Sequence, residues 1–421
     1  MTRPMFDYPS DWEIVDLTPS EKNDIILNVS QGSDPSSKNP DYWNGIIPFL
    51  TGKEVTHRFT PIYVSKTERY ITKKGAKKIG GVKKSNRVFL SSRAPVGSVI
   101  INSIPMGISR SFLSFDCGSK LIPEFLFFWF KANRPYLERV ANATTYDVLN
   151  EYNLFEFKIG IPKIKEQQKI INILKSIDEK IQNNLKIKKI LISSLFSIYK
   201  NWFRDNDKNN LKSWKKEKFK ELATTQRGFS YKGTEKSNDD TNHAFITLKN
   251  INMTGGFNIE YSWINSTRLK ERHFVKELDL VIANTHFGVG GSETARLLAN
   301  PALIIFPSSY SKPTAVFSHH VSKILMKKNN IKYFLYFLFL EKHLELASRY
   351  HTGTGVAGFD YKSFEDEYEV IVPPDPLLEQ FEKIGTIVFK KVLISEKQIM
   401  ILEKSRKLLQ RKLVYGKIRL K

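Results

Sequence analysis

Forty consecutive residues, Ile164 to Phe203, contain neither glycine nor proline, and this run limits the chain more than any other stretch. Apolar side chains recur at three- and four-residue steps, Ile170, Leu174, Ile177 and Ile181, then Leu191, Leu195, Ile198 and Trp202, with Asn184 and Lys188 interrupting the seam. That spacing predicts one helix with a narrow apolar stripe. At a rise of 1.5 Å per residue it is roughly 60 Å long, about twice the width of a small domain.

The remainder of the chain repeats itself around this helix. Phe125-Leu-Phe-Phe-Trp-Phe130 overlays Phe334-Leu-Tyr-Phe-Leu-Phe339, apolar at every position, and Arg87–Ser92 overlays Leu280–Thr285 as an apolar strand running into small polar residues. Ile161-Pro162 with Glu166-Gln167 pairs with Val372-Pro373-Pro374 with Glu379-Gln380, and Trp12 pairs with Trp214. A second helix is expected from Leu377 to about Tyr415, weakened by Gly385 and interrupted by Ser395 and Arg406. The expected fold is α+β: two duplicated globules, residues 1–161 and 205–372, alternating with helices at 162–204 and 373–421. By a pseudo-two-fold axis the helices form an antiparallel coiled coil that holds the globules apart. Within the first globule, the helix opening at Pro123 is expected to break at Pro135. Two unrelated domains joined by helices are the alternative.

Composition narrows the partner. The 421 residues carry 66 Lys and Arg against 43 Asp and Glu, a net charge of +23, so the field concentrates polyanions. The apolar runs are too short to cross a membrane, the amino terminus reads as no secretory signal, and the single cysteine, Cys117, allows no internal disulfide. A cytoplasmic protein that binds nucleic acid is expected.

Catalytic signatures are weak. Asn39-Pro40-Asp41-Tyr42 lacks the second proline of an amino-methyltransferase motif, and Phe287–Ser292 is glycine-rich without the lysine of a phosphate loop. His319-His320 lacks further ligands at metal spacing and reads as a strand end; Asp375 and Glu379 lack a nuclease lysine and read as a helix lead-in. Neither catalytic nor metal-ligating residues are assigned. Lys73, Lys74, Lys77, Lys78, Lys83 and Lys84 cluster in one segment suited to phosphate contacts. Base reading falls to Ser91-Ser92-Arg93, Thr144-Thr145-Tyr146, Asn284-Thr285-His286, and His351, Thr352 and Thr354, the first and third at equivalent places in the two halves. Gln167, Leu185, Ile187, Ile190, Phe196 and Gln380 are candidates for docking other subunits.

Three stretches, Ile161-Pro162…Glu166-Gln167-Gln168-Lys169-Ile170, Val372-Pro373-Pro374…Glu379-Gln380 and Ser91-Ser92-Arg93-Ala94-Pro95-Val96-Gly97, together with the duplication, resemble the specificity subunits of type I restriction-modification systems. The resemblance runs from Trp12 to the end. It implies two target recognition domains, a two-part DNA target and no cofactor on this chain. It also implies modification subunits carrying S-adenosylmethionine and restriction subunits carrying ATP-driven translocation with Mg2+. A stand-alone DNA-modifying enzyme with unrecognised motifs and a structural coiled-coil adaptor are the competing readings.

Overall fold

The computed structural model describes residues 7–55, 60–142, 148–204, 214–287, 297–353 and 356–420. The first long helix spans Ile164–Phe203 as expected, and the second spans Asp375–Val414, opening earlier than expected because Pro376 sits in its first turn, where no N–H is needed. The chain divides into two compact units, Met1–Asn183 with Leu402–Lys421, and Asn184–Ile401. The boundary therefore falls inside both long helices.

In the first unit a five-stranded sheet runs in the order Ile26–Gln31, Phe112–Cys117, Val88–Ser91, Val99–Asn102, Tyr63–Val64. One face is covered by the helix Pro123–Asn142, whose Phe125–Phe130 segment is buried throughout. A helix apolar on every side must be sandwiched. Phe130 meets Phe115 of the sheet at 5.0 Å between ring centroids, while the Phe128 carbonyl accepts from Gln410 Nε2 at 2.7 Å. Pro135 does not end this helix, contrary to expectation: it lies on the exposed face, and the buried Asn133 and Leu137 on either side hold the helix through it. Glu13–Asp16 pairs antiparallel with Lys158–Ile161, the strand leading into the first long helix. Within this unit Asp178 pairs with Arg406 and Glu166 with Arg419, so the two helical segments run antiparallel.

Gln167 is a fastener rather than a docking residue. Its side chain is fully buried, accepts from Ile122 N–H at 2.9 Å, and donates to the carbonyls of Lys120 at 2.8 Å and Pro162 at 2.9 Å. It ties the start of the long helix to the start of the core helix and has no group left for a partner.

The second unit repeats the plan. Its main sheet runs Ala223–Arg227, Val321–Met326, Leu280–Ala283, Pro301–Leu303, the same order of first, last and central strands. The helix Lys332–Arg349 buries Phe334–Phe339 against it, and Lys215–Lys218 pairs antiparallel with Glu369–Val372 ahead of the second long helix. Trp202 and Phe203 meet Phe381 while Lys188 pairs with Glu396, so here too the helical segments are antiparallel.

The two units are built on one plan but finished differently. Burial puts Gln167, Ile170, Leu174 and Asp178 of the first long helix in the register of Leu378, Phe381, Gly385 and Phe389 of the second. Glu166-Gln167 is thus matched by Leu377-Leu378, not by Glu379-Gln380, both of which are exposed. In the first unit Lys131, Asp178 and Arg406 form a largely buried charge triad; the second has Leu340, Phe389 and Leu195 at the corresponding places, all in its apolar core. Burial pushes Lys131 down to about 8, with Asp178 opposing the shift.

Candidate nucleic-acid interface

A like edge in each unit follows from its sheet. In the first unit the central strand Val88–Ser91 ends beside the start of the strand Phe112–Cys117, and Ser92 N–H donates to the Ser111 carbonyl at 2.8 Å. The Ser92 carbonyl accepts from Leu149 N–H at 2.9 Å, which brings in the chain that follows the core helix. The second unit builds the same joint: Asn284 N–H donates to the His320 carbonyl at 2.8 Å, and the Asn284 carbonyl accepts from Phe359 N–H at 2.9 Å. A side chain at the end of the first strand completes each edge. Gln31 Nε2 donates to the Arg110 carbonyl at 2.9 Å, and Arg227 Nε donates to the His319 carbonyl at 3.2 Å. Backbone holds both edges in one geometry, so the exposed side chains are free to differ.

Several predicted residues belong to the joint rather than to its surface. Ser91 and Ser92 are buried; Ser91 Oγ donates to the Arg93 carbonyl at 2.7 Å and Ser92 Oγ to the Ser111 carbonyl at 3.1 Å. Neither can reach a base, which corrects their assignment. Arg93 stands exposed in the following turn, closed by Gly97 at φ +75°, where Gly97 N–H donates to the Ser91 carbonyl at 2.9 Å. Thr144, Thr145, Tyr146 and Thr354 lie outside the described residues.

In the second unit, Thr285–Phe287, Val356–Phe359 and His351–Thr352 form a small three-stranded sheet. Thr285 and Thr352 stand opposite Gly358 on its two sides, and His286 stands opposite Ala357. Two separate predicted groups are thereby brought together. His351 and Thr352 are exposed, whereas Asn284 and Thr285 are buried. Thr285 Oγ1 lies 2.8 Å from His320 Nδ1, and the rings of His319 and His320 are 3.8 Å apart. Burial and the neighbouring His319 push His320 down to about 4, so it is neutral at pH 7 and offers a hydrogen bond rather than a charge. Asn284 Nδ2 donates to the His319 carbonyl at 3.2 Å, and its Oδ1 is buried without a partner among the described residues.

The basic segment is a short helix, Lys73–Lys78, capped by Thr72. Lys73, Lys77, Lys78 and Lys84 are exposed, and Lys74 is exposed with Asp41 at 3.2 Å. Lys83 is turned inward: its Nζ donates to Ser30 Oγ at 2.8 Å, and burial lowers its pKa. Of the docking candidates, Ile187, Ile190 and Gln380 are exposed and Leu185 is half-buried, while Phe196 stacks on Phe337 at 5.5 Å within the second unit's core. Gln31, Arg110, Arg227 and the His319-His320 pair, which stand at these edges, are not singled out for DNA contact by the sequence, although laying Phe334 on Phe125 also lays His319 on Arg110. Among the described residues no group of three or more His, Cys, Asp or Glu is placed to hold a metal ion. No described helix is long and apolar enough to cross a membrane.

Residues 9–191 match the type I restriction modification DNA specificity domain. Over 434 aligned positions the chain is 29% identical to the type I restriction enzyme MjaIX specificity subunit of Methanocaldococcus jannaschii, covering 98% of this chain and 94% of that protein. The HindI specificity subunit of Haemophilus influenzae is 24% identical over 206 positions, covering 47% of this chain and 42% of that one. The crystal structure of the type I restriction-modification S subunit from M. genitalium shares the fold, with a TM-score of 0.57 at 15% identity over 98% of both chains. A match to the specificity domain over residues 9–191 and a near full-length relative support a type I restriction-modification specificity subunit, and the doubled sheet-and-helix plan is the fold shared with the M. genitalium structure.

Proposed function

We propose that this chain reads a two-part DNA target, one part at each sheet edge, and contributes no catalytic residue of its own. Residues 1–161 and 205–372 act as the two recognition domains, and residues 162–204 and 373–421 act as the spacer helices that also receive other subunits. One observation carries the reading: the same backbone joint, Ser92 with Ser111 and Leu149, and Asn284 with His320 and Phe359, is made twice and dressed with different side chains. A repeated frame with unlike surfaces suits two half-sites of unlike sequence. Arg93, Arg110 and Gln31 are the base-reading candidates of the first unit; Arg227, His286, His319, His351 and Thr352 are those of the second. Lys73, Lys77, Lys78 and Lys84 supply phosphate contacts.

Methylation and cleavage belong to partners in the cytoplasm: modification subunits holding S-adenosylmethionine, and restriction subunits using ATP and Mg2+. The test is a hydroxyl-radical footprint of the chain with modification subunits on DNA selected for binding. Two protected patches flanking an open gap, weakening steeply with salt, are expected. A continuous footprint, or one unchanged when this chain is omitted, overturns the reading.

A further inference from the structure

Past the joint, both units continue on one plan and then present different side chains. In the first, Leu149 N–H donates to the Ser92 carbonyl, Asn150 Oδ1 accepts from Asn153 N–H at 2.8 Å, and the short helix Glu151–Phe155 follows. In the second, Phe359 N–H donates to the Asn284 carbonyl, Asp360 Oδ1 accepts from Ser363 N–H at 3.2 Å, and the helix Tyr361–Glu367 follows. Leu154 and Phe364 are the buried anchors of the two helices. The register they fix lays Tyr152 on Lys362, both exposed. Tyr152 is 80% exposed, and among the described large apolar side chains only Ile46, at 83%, is more so.

A single exposed apolar side chain needs no explanation by itself, but the place of this one does. Tyr152 stands three residues past Leu149, on the edge that also carries the exposed Arg93. Its ring is held from one side: Phe155, packed against the first unit's core, meets it at 6.3 Å and 74°. The helix Glu151–Phe155 has no cation to offer a phosphate, and the ring is flanked in sequence by Glu151 and Glu156, whereas Lys362 supplies a cation at the same place in the second unit. What the first unit offers DNA here is therefore an aromatic face. Aromatic faces stack on any base, and inserted side chains enter most easily at pyrimidine–purine steps, where DNA unstacks readily. Resting on the two-part reading proposed above, we infer that Tyr152 inserts its ring between two base pairs of the first half-site and unstacks them. Lys362 takes a backbone phosphate at the second, so the two like helices deform their half-sites unequally.

The experiment uses the full chain with modification subunits on DNA selected for binding. 2-Aminopurine replaces each purine of the two half-sites in turn, since this base brightens when it loses its stacked neighbours. With the natural chain and with Tyr152→Phe, one step of the first half-site is expected to brighten on binding. Tyr152→Ala is expected to leave that step dark and to weaken binding roughly tenfold, with the second half-site unaffected. Lys362→Ala is expected to keep every signal and to lower the salt dependence by about one phosphate contact. Circular dichroism should not change, because both side chains are exposed. The inference is overturned if no step brightens in a Tyr152-dependent way, or if the salt dependence of Lys362→Ala is that of the natural chain. Equal losses in Tyr152→Phe and Tyr152→Ala assign a polar contact to the hydroxyl, and loss of the modification subunits from Tyr152→Ala assigns the ring to a protein; either result overturns it too. Hydroxyl-radical protection of the same complexes reads the proposed function separately. Two protected patches without a Tyr152-dependent signal overturn the wedge alone, whereas a continuous footprint with the natural chain overturns the two-part reading and the wedge with it.

Discussion

Asp178 faces two cations, Arg406 and, at 3.5 Å, Lys131, in a position where its side chain is 10% exposed. Removing it leaves both cations without a counter-charge, so Asp178→Leu is expected to cost about 3–5 kcal/mol in denaturant unfolding. Lys131→Leu keeps the Asp178–Arg406 pair and is expected to be neutral or stabilising at pH 7. The sign follows from the depressed lysine: between about 8 and its ordinary value of 10.5 the folded chain holds fewer protons than the unfolded one. Stability of the natural chain should therefore rise with pH through that window, and Lys131→Leu should abolish the rise. At the interface, neighbouring residues separate two roles. Ser92→Ala should lower stability by about 1 kcal/mol with the lost hydrogen bond, while Arg93→Ala should leave the melting temperature alone and weaken binding to one half-site by roughly 1–3 kcal/mol. Melting curves and binding isotherms on the same samples separate the two. The sequence marks Ser91-Ser92-Arg93 as a group but cannot divide it, because burial at a strand end depends on Ser111 and Leu149, remote in the chain.

Among elements, the long helices and the two core helices can be read directly, since forty residues without glycine or proline and six consecutive apolar residues each admit few structures. The central strands at Val88–Ser91 and Leu280–Ala283 are legible as apolar runs but one residue out of register: the sequence overlay lays Ser92 on Thr285, whereas the joint makes Asn284 the counterpart of Ser92. The register of the second long helix is not legible, for Glu379-Gln380 imitates Glu166-Gln167 in residue type while Leu377-Leu378 takes its place in space. Gly385 shows why. Read as a weak point in the seam, it is buried where a Cβ would come within 2.4 Å of the Tyr333 ring, and Tyr333 in turn stacks on Phe389 at 5.1 Å. Gly385→Ala is thus expected to destabilise the second unit by about 1–3 kcal/mol through overpacking, despite the roughly 1 kcal/mol that alanine brings to a helix. Calorimetry on the full chain checks the sign. The small sheet that joins Thr285–Phe287 to His351–Thr352 is also out of reach of the sequence, being built from strands of two to four residues.

For the molecule as a whole, the duplication is legible because it rests on several ordered matches, and the net charge of +23 points to a polyanion from composition alone. Neither says which side chains face DNA; that depends on which edge of each sheet the joint leaves open. On the proposed reading, two like frames carry two unlike reading surfaces. Selection of bound sequences from a random double-stranded library tests it most directly, with modification subunits present and with Arg227→Ala and His319→Ala introduced together. The natural chain is predicted to enrich two constant blocks separated by a fixed number of unspecified bases, and the double variant to relax one block while leaving the other and the gap unchanged. A single uninterrupted motif, or simultaneous loss of both blocks in a variant that remains folded, would contradict it.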